Sequence, residues 1–269
     1  MPNEYLQSIL DGSFDNGVLN KPIDDPSRLH YKVPKLMVGF DTETTGLYPQ
    51  RRPSDCEECG GVKKVFDGFC NQCGHTTPRV PQPVSYALTV YRDGKPTGED
   101  HHFLVTPTVP VGRIAANVNG WTPQRLKDSY EGARISDQSG HPMDPAMDAR
   151  AGLMRAISLL GHYHKQGGVI VGANVAGYDL PILHDLHQEF FGTPIRTSGF
   201  DPGKARVIDV LAQERIRTPK PILPNHKLIT VCNHLGVDPG DHTALGDAKA
   251  SVNAFLEQVA RNNLAMGRN

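Results

Sequence analysis

The sequence has no long apolar run and no surplus of one charge. None of its apolar stretches approaches the roughly 20 residues that a membrane-spanning helix needs, so we expect no membrane role. The formal net charge is -1, which argues against a broadly basic nucleic-acid-binding surface, because such surfaces carry a surplus of Lys and Arg. Any contact with nucleic acid should therefore be local. The segment Met1–Asn20 lacks the basic and then apolar pattern of a secretory signal, so we expect an intracellular protein.

No internal repeat or low-complexity tract is visible in the 269 residues. Apolar residues make up 38% of the chain and charged residues 21%, which is typical of a globular protein with a buried core. We predict an N-terminal extension over 1–35, one main domain over 36–263 and a tail over 264–269. A segment rich in Pro, Gly and Cys, at 50–80, interrupts the main domain and reads as an insertion.

Strands and helices alternate in the main domain. Alternating or continuous apolar runs predict strands at Leu36–Phe40, Ser85–Tyr91, His101–Val105, Gly168–Ala173 and Arg206–Val210, the second and third joined by an Asp93-Gly94 turn. Caps and helical spacing predict helices after Thr122, from Asp144-Pro145 to Gly161, over Tyr178–Phe191 and over Thr243–Ala260, with a polar loop at Ser129–Met143. These alternating lengths imply crossover units, hence an α/β fold with parallel pairing.

The first strand ends in two carboxylates, Asp41 and Glu43. Residues two apart on a strand point to the same side, so this pair suits a hard divalent cation, which prefers oxygen ligands. Asp179 follows the strand Gly168–Ala173, and His242 stands five positions before Asp247 at the start of the last helix. Taken singly, each has an ordinary explanation: a solvated turn for Asp41 and Glu43, a helix cap for Asp179, and a surface histidine for His242.

Taken together, these segments resemble the three motifs of the DnaQ-like 3'-5' exonuclease family, in the family's order. The matching segments are Phe40–Leu47, Asn174–Asp179 and His242–Asp247. The tyrosine branch of that family has a tyrosine where this chain has Thr243, so the sequence is similar to the histidine (DEDDh) branch. The resemblance implies a ribonuclease H-like mixed β-sheet flanked by helices. It covers about Leu36 to Ala260, apart from the Cys-rich insertion.

The resemblance also implies a role for each residue. Asp41 would bridge two Mg²⁺ or Mn²⁺ ions, Glu43 and Asp247 would support the ion that carries the nucleophilic water, Asp179 would serve the other ion, and His242 would be the general base. An imidazole suits this task because its ordinary pKa of about 6.5 lets it take a proton at neutral pH. Thr44, Leu47 and Asn174 are the candidate substrate contacts, with the Thr44 backbone on the 3'-hydroxyl and Leu47 on the terminal base. The chain departs from the family at Asn119-Gly120, where many relatives have His-Gly, and at Tyr178, where phenylalanine is commoner.

The expected activity is hydrolysis of DNA from the 3' end to nucleoside 5'-monophosphates, in proofreading, replication or repair. The expected partners are nucleic acid, with DNA preferred over RNA, and a DNA polymerase or another replication protein. The expected location is the cytoplasm, at the nucleoid, of a bacterium or a phage-infected cell. Two other hypotheses stay open: an RNA exonuclease similar to oligoribonuclease or RNase T, and a nucleic-acid or polymerase-binding module without turnover.

Four of the five cysteines form two Cys-x-x-Cys pairs inside the insertion. Four thiolates suit a closed, tetrahedral and therefore structural Zn²⁺ site, so we predict a zinc ribbon whose ligands are Cys56, Cys59, Cys70 and Cys73. Redox motifs would need a strand-to-helix context that is lacking here. The ribbon could guide a nucleic-acid strand or bind a partner, and a clip that stabilises a long loop is an equally good explanation. The fifth cysteine, Cys232, has the helical spacing of a core residue. Asp209 ends a predicted strand, and two explanations stay open for it: facing the cleft, or capping the next helix.

Overall fold

The computed structural model describes residues 29–30, 32–47, 80–218 and 222–267, together with 61, 65–66, 69–70 and 72. Most of the predicted N-terminal extension lies outside these residues. So do the predicted zinc ligands Cys56, Cys59 and Cys73, and only the backbone of Cys70 is described. The zinc ribbon therefore remains a prediction. One short antiparallel pair of strands, Val65–Phe66 with Phe69–Cys70, is present within the insertion.

The described residues form eight strands and seven α-helices, labelled here in chain order. The strands are β1 (Leu36–Thr44), β2 (Val65–Phe66), β3 (Phe69–Cys70), β4 (Pro83–Arg92), β5 (Lys95–Thr106), β6 (Asp144–Asp148), β7 (Val169–Gly172) and β8 (Arg206–Asp209). The helices are α1 (Arg113–Asn119), α2 (Pro123–Tyr130), α3 (Ala149–Lys165), α4 (Asp179–Phe191), α5 (Val210–Arg217), α6 (Leu228–Leu235) and α7 (Ala244–Ala265), with a 3-10 helix at Ile195–Ser198.

Six strands form one mixed sheet in the order β6-β5-β4-β1-β7-β8. The central strand β1 pairs antiparallel with β4 and parallel with β7, and β7 pairs parallel with β8. The predicted hairpin across Asp93-Gly94 and the predicted parallel pairing are confirmed, and they lie on opposite sides of β1. The register aligns Asp41 with Ala87, and Ala87 with His102 on β5, so these three residues share one face of the sheet.

Two apolar layers cover the two faces of the sheet. Even-numbered β1 residues such as Val38 and Phe40 pack in a cluster with α3 and α4. On the opposite face, Met37 packs in a cluster with α5, α6 and α7 that also contains the buried Cys232. The alternation of β1 therefore places Asp41 and Glu43 on the face covered by α7, and Thr42 and Thr44 on the face covered by α4.

Two residues that flank the Cys-rich insertion, Thr45 and Gln82, are hydrogen-bonded to each other. The Thr45 amide donates a hydrogen bond to the Gln82 carbonyl oxygen at 2.8 Å. The Gln82 amide donates in return to Thr45 Oγ1 at 3.0 Å. Because β1 and β4 are adjacent antiparallel strands, the insertion occupies the position of a hairpin turn.

The prediction of a helix opening at Asp144-Pro145 is wrong. Asp144–Asp148 is the edge strand β6, in which Met147 pairs with Val105 of β5. Helix α3 begins at Ala149, because the Asp148 carboxylate accepts hydrogen bonds from the Arg150 and Ala151 amides at 3.0 Å each and caps the helix there. The last helix, expected to end at Ala260, continues to Ala265. In the part of the chain that the structure describes, no helix is both long and apolar enough to cross a membrane.

Candidate metal-dependent active site

Helix α7 approaches β1 closely because residue 39 is a glycine. A β-carbon at Gly39 would lie 2.8 Å from the Ala248 carbonyl oxygen and 2.6 Å from Thr89 Cγ2, so any other residue would push the helix away. This approach brings Asp247, in the first turn of α7, to the two carboxylates of β1. Ligand oxygens of Asp41, Glu43 and Asp247 all lie within 4.8 Å of one another.

Asp179 joins this cluster from the opposite face of β1. It is the first residue of α4, its residue surface is 2% exposed, and its Oδ1 accepts a hydrogen bond from Thr42 Oγ1 at 2.6 Å. A bond of this length to a carboxylate is strong and fixes the side chain. Thr42 lies between Asp41 and Glu43 in sequence, so β1 carries two of the carboxylates and positions Asp179 through the Thr42 hydroxyl.

Burial, together with neighbouring negative charge, raises the pKa of each of these carboxyl groups. Burial, followed by the charges of Asp179, Glu43 and Asp247, raises the pKa of Asp41 well above its usual range. Burial and then the neighbouring carboxylates raise the pKa of Glu43 to about 8. Burial, aided by the charge of Asp209, raises the pKa of Asp179 to about 7.

Asp247 shows the same effect with one opposing contribution. Burial raises its pKa to about 6, although the nearby charge of His242 lowers it. Asp247 Oδ1 is buried and has no hydrogen-bond partner within the described residues. A buried carboxylate oxygen without a partner costs roughly 1 to 3 kcal/mol or more. A bound cation would satisfy this atom and neutralise the cluster, and Mg²⁺ and Mn²⁺ favour such oxygen ligands. The residues therefore fit a divalent metal site.

His242 precedes the capping residue of α7. Thr243 caps the helix by accepting a hydrogen bond from the Gly246 amide at 3.0 Å. His242 is exposed and has a φ of 58°, a left-handed conformation that few non-glycine residues adopt. The backbone thus turns sharply just before the helix and places the imidazole near Asp247.

The segment that follows the first two carboxylates is held by hydrogen bonds from the side chains of Tyr178, Thr44 and Asn119. Tyr178 Oη donates to the Gly46 carbonyl oxygen at 2.7 Å and lies 2.8 Å from Thr44 Oγ1. Thr44 Oγ1 also donates to the Gly46 carbonyl at 2.8 Å. Asn119 Nδ2 donates to the Thr44 carbonyl oxygen at 3.1 Å, and the same side chain hydrogen bonds to Glu43.

Tyr178 and Asn119 are the two positions at which the sequence departs from its resemblance, and both contact the site. Sequence reasoning did not assign either residue a role. The available signal was that each residue stands where relatives in the resembled family have a different one, His at 119 and phenylalanine at 178. The neighbouring Leu47 is 68% exposed. Ile114 and Val118, at 57% and 56%, are exposed one helical turn apart on α1, whose two ends are hydrogen-bonded to residues 44–45.

Asn174 organises the turn that leads into α4. It is exposed, has a φ of 58°, and its carbonyl oxygen accepts hydrogen bonds from the Gly177 and Tyr178 amides. Its own amide donates to Asp209 Oδ1 at 3.2 Å. That same oxygen also caps α5 through the Leu211 and Ala212 amides, which confirms the capping role of Asp209.

The chain resembles known proteins in its three-dimensional structure and not in its sequence. No family model matches the chain, and no curated protein matches its sequence. Solved structures do match, and they show that the chain has the mixed-sheet α/β fold of exonuclease structures.

Two of these structures are of Escherichia coli exonuclease I. A complex with a 5cy-dT13 oligonucleotide matches at a TM-score of 0.56 and 16% identity, covering 87% of this chain and 42% of that one. A complex with a dA16 oligonucleotide matches at a TM-score of 0.56 and 14% identity, with the same coverage. The chain thus spans about two fifths of exonuclease I. At this identity the likeness establishes the fold alone.

Proposed function

We propose that this protein is a metal-dependent 3'-5' exonuclease that hydrolyses terminal phosphodiester bonds of single-stranded or frayed DNA and releases nucleoside 5'-monophosphates. The observation that carries the proposal is the convergence of Asp41, Glu43 and Asp247 within 4.8 Å, with a buried oxygen left unpaired. Support also comes from the exonuclease I structures of the same fold, which hold oligodeoxynucleotides. Proofreading, replication or repair is the proposed role, with a polymerase or another replication protein as the proposed partner.

Two Mg²⁺ or Mn²⁺ ions, held by the carboxylates of Asp41, Glu43, Asp179 and Asp247, would stabilise the negative charge on the attacking and leaving oxygens. Asp41 is central because the three other carboxylates all raise its pKa. Thr42 holds Asp179 in place, and Asn119 holds the Glu43–Thr44 segment.

His242 acts as the general base, which takes the proton of the attacking water. Its exposed position beside Asp247 leaves it accessible to a substrate end. Thr44 binds the 3'-hydroxyl through its backbone, and Leu47 packs on the terminal base. Asn174, exposed at the entrance of α4, contacts the substrate backbone.

The test is degradation of 5'-labelled and 3'-labelled single-stranded DNA and RNA by the purified protein with Mg²⁺, Mn²⁺ or EDTA. We expect a metal-dependent ladder that shortens from the 3' end, faster on DNA than on RNA. Asp41→Asn and Asp247→Asn should each abolish hydrolysis. Asp144→Asn, a carboxylate 64% exposed on β6, is the matched control and should retain full activity. Hydrolysis that survives both active-site substitutions would refute the mechanism, and faster RNA turnover would refute the DNA preference.

The zinc ribbon is a separate part of the proposal. We propose one structural Zn²⁺ held by Cys56, Cys59, Cys70 and Cys73. Atomic emission should find one zinc per chain in the native protein and none after Cys56→Ser and Cys73→Ser are combined. Zinc that remains in that double variant would exclude this ligand set.

A further inference from the structure

A compact turn at 137–141, referred to below as the bridging turn, lies between the two sides of the site. Asp137 Oδ1 accepts hydrogen bonds from the Ser139 and His141 amides at 2.9 Å each. The Asp137 amide donates to the His141 carbonyl oxygen at 2.9 Å, and the Gly140 amide donates to the Asp137 carbonyl at 3.2 Å. The Asp137 side chain is 1% exposed, so the turn is built around a buried carboxylate.

The base of the bridging turn rests on the sheet. Asp137 Oδ2 lies 3.8 Å from Nδ1 of His102, whose side chain is 7% exposed. His102 is in register, through Ala87, with Asp41. The turn therefore sits two strands away from the first metal-ligating carboxylate, on the same face of the sheet.

One side of the bridging turn is tied to helix α1. Gln138 Nε2 donates to the Val118 carbonyl oxygen at 2.9 Å. The Arg125 guanidinium donates to the carbonyl oxygens of Gly120 and Ser136 at 2.6 Å each, which joins the end of α1 to the residue before the turn. Because Asn119 in α1 holds Thr44, this side of the turn is connected to the proposed substrate-end segment.

The other side is tied to the segment that carries the proposed general base. Ser139 Oγ donates a hydrogen bond to the carboxylate of Asp241. The other oxygen of Asp241 accepts from the Thr243 amide at 3.1 Å and from Thr243 Oγ1 at 2.6 Å. Asp241 also fills the space at Gly246, where a β-carbon would collide with its Oδ1. The Asp241 carboxylate is thus held by Ser139 and by Thr243, the residue that follows His242.

We propose that Ser139 is a positioning residue for His242: by holding Asp241 it fixes the left-handed backbone of residue 242 and aims the imidazole at the metal site. The proposal rests on the proposed exonuclease function for its kinetic consequence. It does not rest on that function for its structural part, because the bridge consists of hydrogen bonds among Ser139, Asp241 and Thr243. Ser139 is exposed and touches no metal ligand in the described residues, so its removal should leave the cluster intact.

The kinetic test compares Ser139→Ala with Ser139→Thr and with the control Thr197→Ala. Thr197 is also exposed, and its hydroxyl makes only local hydrogen bonds around the 3-10 helix. We expect Ser139→Ala to lower kcat by roughly 10- to 100-fold, as small misplacements of a reacting group do, and to leave KM within about two-fold. Ser139→Thr should restore kcat, and Thr197→Ala should not change it. An unchanged kcat in Ser139→Ala, or an equal loss in Ser139→Thr, would overturn the proposal.

A cycle with Asp241→Ala tests the contact itself. If Ser139 acts through Asp241, adding Ser139→Ala to Asp241→Ala should produce no further loss of kcat. Two effects that multiply in the double variant would show that the residues act independently and would overturn the proposal.

The structural test needs no activity. Hydrogen exchange of metal-free protein, followed on peptides covering 236–246, should show faster exchange of the Thr243 amide in Ser139→Ala and wild-type exchange in Ser139→Thr. Unchanged exchange in Ser139→Ala would refute the bridge. If the wild-type protein hydrolyses nothing, the proposed function fails, while the exchange result still decides whether Ser139 holds the Asp241–Thr243 segment.

Discussion

Replacing Asp41 with asparagine should stabilise the metal-free protein while it destroys the metal site. In EDTA, Asp41 lies among carboxylates whose ligand oxygens are within 4.8 Å. At an effective dielectric constant of about 20, two full charges at that distance repel by about 3.5 kcal/mol. The raised pKa values of Asp41 and Glu43 show that protonation already relieves part of this repulsion near neutral pH. We therefore expect a net gain of about 1 to 3 kcal/mol in the free energy of unfolding.

The assay is thermal and urea unfolding of the wild type, Asp41→Asn and Asp144→Asn at about pH 8.5, above the pKa of about 8 of Glu43 and of about 7 of Asp179. For a domain of this size, each 1 kcal/mol raises Tm by about 2 to 4 °C. In EDTA the Tm of Asp41→Asn should exceed that of the wild type. Adding Mn²⁺ should then raise the wild-type Tm, because a ligand that binds the folded state stabilises it, and should have little effect on Asp41→Asn. Asp144→Asn should match the wild type within about 0.5 kcal/mol, as expected for an exposed ion pair.

Two results would refute this reasoning. A lower Tm of Asp41→Asn in EDTA would mean that Asp41 contributes favourable contacts that outweigh the repulsion. An equal Mn²⁺-induced rise of Tm in both proteins would mean that the cation binds elsewhere. The first outcome addresses the electrostatics of the cluster, and the second addresses the identity of the site.

Three further predictions concern stability. The folded-state pKa values of Glu43 and Asp179 are raised to about 8 and about 7, so the folded state holds more protons than the unfolded state. The free energy of unfolding in EDTA should therefore fall as pH rises from about 7 to about 8.5. A rise of that free energy in urea titrations would contradict this. Thr42→Val removes the buried hydrogen bond to Asp179 and should cost about 1 to 3 kcal/mol in Mn²⁺, and an unchanged urea midpoint would count against it. Glu214→Ala removes a fully buried carboxylate that binds Arg217 at 2.9 Å and should cost about 3 to 5 kcal/mol; a loss below about 1 kcal/mol, measured the same way, would show that the ion pair is not needed.

The parts of the structure that sequence predicted are those with local causes. Two-residue alternation placed Asp41 and Glu43 on one side of β1, and the Asp93-Gly94 turn joined the hairpin, with φ values of 48° and 78°. Thr122 caps α2 with Pro123 at its first position, as expected. These features follow from residues a few positions apart, so a single sequence suffices to predict them.

The parts that sequence missed depend on distant partners. Met147 fits helical spacing with Ala151, but its pairing with Val105 of β5 and the cap at Asp148 place it in a strand. The polar loop Ser129–Met143 showed no pattern of its own. The bridging turn in this loop is recognised only by the contact of Ser139 with Asp241, which lies 102 positions further along the chain. Asn119 and Tyr178 are likewise distant in sequence from the Thr44–Gly46 segment and contact it only after the chain has folded.

The hydrogen-bonded closure between Thr45 and Gln82 has a consequence for how this protein can change over evolutionary time. Because Thr45 and Gln82 are hydrogen-bonded to each other, the chain between them is connected to the sheet as one loop, whatever residues it contains. The entropy cost of closing a loop rises only with the logarithm of its length, by about 0.6 kcal/mol for each doubling. A cysteine-rich module can therefore be gained, lost or exchanged at this position while Asp41 and Glu43, a few residues upstream, keep their geometry.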